Sequence, residues 1–93
     1  MTLIRKRFLV MGTVQGVGFR HFAARMALKF GVTGWVRNLP DGAVEVHAQG
    51  EREAMDKMEQ WLRKGPSSAT VTRLVVLETP LKEGESSFAI RHH

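Results

Sequence analysis

The hydrophobic spacing of this chain switches from a period of two to a period of 3.6 and back, twice within 93 residues, and that alternation restricts its fold most. Leu3 to Met11 is rich in Ile, Leu, Phe and Val and ends at Gly12, which predicts a first strand whose later part is buried on both faces. From Phe19 the apolar positions Phe22, Ala23, Met26, Ala27 and Phe30 recur at helical spacing, with His21, Arg25 and Lys29 off the stripe, until Gly31 supplies a left-handed cap. Gly34 to Leu39 and Ala43 to Gln49 then read as two strands of a hairpin around Pro40-Asp41-Gly42, with Val44, Val46 and Ala48 facing inward. Ala54, Met55, Met58, Trp61 and Leu62 make one stripe of a second helix over Glu51 to Lys64, stopped by Gly65-Pro66. Thr70 to Glu78 is a long β-branched strand, Pro80 to Ser86 a loop, and Phe88 and Ile90 mark a short terminal strand.

The order β-α-β-β-α-β with an extra C-terminal strand is the ferredoxin-like, split βαβ plan of the α+β class, an antiparallel sheet carrying both helices on one face. Residues 1–93 fit one domain, because a chain of this length buries only about two-thirds of its unfolded surface and supports a single core. A separate cofactor domain does not fit. The right-handed crossover makes strands one and two parallel on either side of strand three, so both end at the same edge of the sheet. The Thr13 to Phe19 loop and Asn38 therefore meet there, two strand spacings or about 10 Å apart.

That edge carries the chemistry. Gly16 and Gly18 let successive backbone N–H groups turn inward, and the loop Gln15-Gly16-Val17-Gly18-Phe19-Arg20 opens the first helix, whose N-terminus favours an anion. Arg20 offers a planar fork of donors that matches phosphate oxygens and stays charged at any working pH. The Asn38 amide both donates and accepts, so it can aim a water without acting as a base. A Walker A loop would need Gly-Lys-Ser/Thr, and a dinucleotide fingerprint would need glycine where His21 stands, so neither reading applies.

Gly12-Thr13-Val14-Gln15-Gly16-Val17-Gly18-Phe19-Arg20 and Gly34-Trp35-Val36-Arg37-Asn38 resemble the two signature segments of the acylphosphatases, and the resemblance runs through Trp61-Leu62 to Phe88-Ala89-Ile90-Arg91. It implies hydrolysis of a carboxyl-phosphate anhydride to a carboxylate and inorganic phosphate. It also implies that Arg20 and the loop amides hold the phosphate while Asn38 positions the attacking water. Leu39 and Ala23 stand where many members of that family carry Thr.

The remaining composition narrows the partners. No cysteine is present, which removes disulfides, thiolate zinc sites and cysteine nucleophiles. The only aspartates, Asp41 and Asp56, fall in a turn and on a helix, so no metal and no cofactor is expected. The formal net charge of +5 favours an anionic partner, here a small acyl phosphate, with inorganic phosphate or sulfate as competing anions. Arg5-Lys6-Arg7 reads as a solvated strand end rather than a nucleic-acid patch, and burial explains Trp35 and Trp61 better than base stacking. Ala43 to Gln49 lacks the aromatics of an RNA-binding sheet, and no nucleic-acid partner is expected. No membrane-length apolar run and no signal-peptide pattern at Met1 to Arg7 is found, so a cytoplasmic monomer is the expectation, with His21, His47, His92 and His93 as no metal ligands.

Overall fold

The computed structural model describes residues 2–92; Met1, which opens the segment read as lacking a signal peptide, and His93, read as no metal ligand, lie outside the described residues. The elements follow in the order β1 (Leu3–Thr13), α1 (Phe19–Phe30), β2 (Thr33–Asn38), β3 (Val44–Glu51), α2 (Arg52–Lys64), β4 (Thr70–Thr79) and β5 (Phe88–Arg91). They build one five-stranded sheet in the order β4-β1-β3-β2-β5. Phe8 and Val10 of β1, Val36 of β2, and Val44, Val46 and Ala48 of β3 present one face of this sheet to Ala23 and Ala27 of α1 and to Met55, Met58 and Leu62 of α2. All of these are essentially removed from water, so the period-two and period-3.6 stripes close on each other as the apolar patterning requires.

Several boundaries and faces differ from expectation, each for a physical reason. β1 continues past Gly12 to Thr13 through a bulge between Met11 and Gly12, where the register against β4 shifts. Its later part is not buried on both faces: Leu9 and Met11 stay half-buried on the side without helices. In α1, Phe19 is buried while Phe22 keeps 40% of its surface exposed, so the stripe runs Phe19, Ala23, Ala27. Glu51 closes β3 and caps α2 instead of lying inside the helix. Leu39 leaves β2 and enters the hairpin turn, its N–H donating to the Ala43 carbonyl at 2.8 Å. The fifth strand pairs parallel to β2, so the sheet is antiparallel except at that edge.

The basic run of β1 is not a solvated strand end. Arg5 is 5% exposed and pairs with Glu85 at 2.7 Å, Lys6 reaches Glu59 of α2 at 3.3 Å, and Arg7 donates to Glu45 at 2.5 Å. Arg37 donates to the other Glu45 oxygen at 2.6 Å, and His47 Nε2 lies 3.6 Å from that carboxylate. Gln49 fixes the 80–87 loop over the same face, accepting from the Lys82 N–H and donating to its carbonyl. Trp35 also lies on this helix-free face, stacked on His47 with centroids 4.2 Å apart and covered by Arg37 and Arg91, so ion pairs and rings rather than the core account for it. Trp61 packs against Phe19 in the helix layer.

This network makes stability fall in acid. Burial alone would raise the carboxyls of Glu45, Glu59 and Glu85, but their arginine and lysine partners outweigh it and hold all three below the ordinary 4.5. The unfolded chain therefore takes up protons first, and the stability these groups contribute is present above about pH 4.5 and lost as pH falls through the lower folded values. His47 is lowered from 6.5 by burial, against the pull of Glu45, and so loses stability in the same direction from a higher pH. Melting curves should drop by roughly 4 °C or more between pH 7 and pH 4, with a shallower slope in Glu45→Gln. A flat profile in the parent protein would contradict this assignment.

Candidate active site

Two buried side chains set the geometry of the loop between β1 and α1. Val14 and Phe19 are 1% and 2% exposed, and they pin the ends of a segment whose glycines remain at the surface. Gly16 and Gly18 have φ of 75° and 78°, a left-handed conformation that side chains rarely adopt, although a Cβ at either would meet no close obstacle. Conformation, not space, requires glycine here. Gly18 is the N-cap of α1, no side chain caps the helix, and no acidic residue stands in its first turn. The first N–H groups of α1 are thus left to a ligand or to water, at the end of the helix that favours negative charge.

Gln15 acts on the neighbouring hairpin. Its Nε2 donates to the carbonyls of Leu39 and Ala43 at 2.7 and 2.9 Å, tying the loop to the turn that follows Asn38. Asp41 completes that turn by accepting from the Ala43 N–H at 3.0 Å. Val17 is held from the opposite side, its carbonyl accepting from the Ser68 hydroxyl at 2.9 Å. Neither residue lines the pocket beside them, so of the loop residues singled out in the sequence, Gln15 and Val17 are seen to tether the loop.

That pocket is about 100 Å3, lined by Gly16, Gly18, Arg20 and Asn38 together with Val14, Phe19 and His21. At ~30 Å3 per water it has room for one small tetrahedral anion and not for an acyl chain as well. Arg20, in the first turn of α1, and Asn38, at the end of β2, meet across β3 as the topology demands. Arg20 is anchored: its Nη1 donates to the Arg91 carbonyl of β5 at 3.1 Å and lies 3.2 Å from His92 Nδ1. Among the described residues no hydrogen bond takes the Arg20 Nε or Nη2. The Arg91 carbonyl was not singled out in the sequence, because nothing local marks a carbonyl 71 residues away, whereas His21, set aside there as a metal ligand, lines the pocket beside Arg20.

Ala23 and Leu39, the two positions where the signature departs, lie outside the pocket lining. Ala23 is fully buried against the sheet, and Leu39 serves through backbone groups that any residue other than proline supplies.

Among the described residues no three His, Cys, Asp or Glu side chains gather as a metal would require, and no helix is long and apolar enough to cross a membrane.

Comparison with known proteins leads to the same family as the signature segments. The acylphosphatase family model matches residues 6–90. The acylphosphatase of Methylococcus capsulatus is 49% identical over 86 residues, 92% of this chain and 94% of the relative. That of Synechococcus sp. (strain CC9311) is 47% identical over 87 residues, 94% and 96% of the two chains. The crystal structure of acylphosphatase from Bacillus subtilis superimposes with a TM-score of 0.91 at 37% identity, covering 98% of this chain and all of that one. With its fold, its loop and its relatives in agreement, this chain belongs to the acylphosphatase family.

Proposed function

We propose that residues 1–93 form one catalytic unit, a monomer without metal, that hydrolyses acyl phosphates, the phosphate held by the loop 15–20 amides and Arg20 and the water aimed by Asn38. The observation that carries this reading is the shared pocket of Gly16, Gly18, Arg20 and Asn38 at an uncapped helix N-terminus. Fixed donors there oppose the charge of the phosphoryl group before reaction and cost no reorganisation during it. The water oxygen bonds to phosphorus as the bond from phosphorus to the acyl oxygen breaks, and its electron pair leaves with the carboxylate. Both water protons end on the product phosphate, from which solvent takes one near neutral pH. A carboxylate leaves without a general acid, so positioning and charge neutralisation suffice, and this chemistry asks nothing of a metal.

The test is turnover of benzoyl phosphate beside an ordinary aryl phosphate monoester, in the presence of a chelator. Hydrolysis of the first alone is expected, with inorganic phosphate and sulfate as competitive inhibitors because both fit a cradle of backbone amides. Activity that vanishes with the chelator and returns with one metal would overturn the mechanism, and purely noncompetitive inhibition would place the anions elsewhere.

A further inference from the structure

The phosphate pocket is not the largest space in the molecule. A groove of about 520 Å3 runs between α1 and the start of β5, within the usual size of a small-molecule site. Its walls are mainly apolar, with Ala24 and Leu28 on the helix and Val32 and Phe88 on the sheet side. Leu28 is 83% exposed and forms the outer apolar wall of the groove on α1. The groove arises from topology: β5 adds only four residues to the edge of β2, and α1 sits above that edge without filling the space over it.

One residue joins the two spaces. His21 lines both the groove and the phosphate pocket, and among the described residues it is the only one that does. From His21 the groove follows α1 to Gly31, about 15 Å at the helical rise per residue. His21 stands at the near end of the groove, so an acyl part that leaves the 100 Å3 pocket past His21 runs into this apolar channel.

We propose that the groove between α1 and β5 is the acyl subsite and selects acyl phosphates with an apolar aryl or medium-chain acyl group over acetyl phosphate; this rests on the phosphate-site reading above. Burial of the acyl group displaces water from Ala24, Leu28 and Phe88, which favours larger apolar substrates over acetyl phosphate.

The experiment compares kcat/KM for benzoyl phosphate and for acetyl phosphate in the parent enzyme, in Ala24→Phe, which fills the groove, and in Leu28→Ser, which removes an exposed apolar wall. The parent should favour benzoyl phosphate, and Ala24→Phe should lower the benzoyl-to-acetyl ratio about tenfold, as expected for lost apolar pocket contacts. Leu28→Ser should move the ratio the same way by a smaller factor, and at so exposed a position it folds even if Ala24→Phe does not. A ratio unchanged within about twofold in folded variants overturns the acyl subsite, including the case in which the groove serves a protein partner instead. Arg20→Ala, assayed alongside, separates the two readings: retained activity there sinks the phosphate site, whereas the ratio alone judges the groove.

Discussion

Replacing Arg20 by lysine should cost nearly as much activity as replacing it by alanine, about 10²-fold or more in kcat/KM. Charge is not the scarce quantity here, because the helix N-terminus already supplies part of it. What lysine lacks is the planar fork. Arg20 spends one nitrogen on the Arg91 carbonyl, at 3.1 Å, which ties the guanidinium to β5, and among the described residues no hydrogen bond takes Nε or Nη2. An ammonium is a point donor on a flexible stem and cannot anchor itself to β5 and still present two parallel donors. Steady-state kinetics with benzoyl phosphate check this, with a thermal melt of each variant to exclude unfolding. An Arg20→Lys enzyme of parental activity would remove Arg20 from the phosphate site.

Local pattern was enough to show the order of elements, the ferredoxin-like plan and the meeting of the glycine loop with Asn38. Each of these depends on periodicity, on glycine chemistry or on the handedness of one crossover, and all three are written in short windows of sequence. Features that depend on partners far along the chain were not legible. Arg5 looked solvated because its carboxylate, Glu85, lies 80 residues away on a loop without a pattern of its own. Phe19 and Phe22 are both compatible with a helical stripe, and Phe19 goes inside, where it packs on Trp61 of α2 and beside Gly65, far along the chain. The side chain of Gln15 was no more legible, because the carbonyls it serves belong to Leu39 and Ala43, 24 and 28 residues along the chain. Likewise the parallel pairing of β5 needs a free edge on β2, which no window around Phe88 to Arg91 can show.

The Gln15 tether bears on Asn38. An asparagine that aims water must be held to a few tenths of an ångström, and a strand end beside a mobile turn would not hold it. Here Asn38 is the last residue of β2, paired with Val44 of β3, and the turn beyond it is closed by the Leu39 N–H, by Asp41 and by the Gln15 amide. Its backbone is secured by contacts that its own side chain does not make, so truncating the side chain leaves the fold intact. Asn38→Ala is therefore expected to fold, to bind inorganic phosphate through the loop and Arg20, and to lose about 10²-fold or more in kcat, because an oriented polar contact of this kind acts in the transition state. Asn38→Asp should be as poor, since the added negative charge repels the substrate and supplies a basicity that a carboxylate leaving group does not need. Measuring kcat, the phosphate inhibition constant and Tm for both variants separates the roles. A purely structural Asn38 would lower Tm and spare kcat, and parental turnover in a well-folded Asn38→Ala would strip this residue of the water.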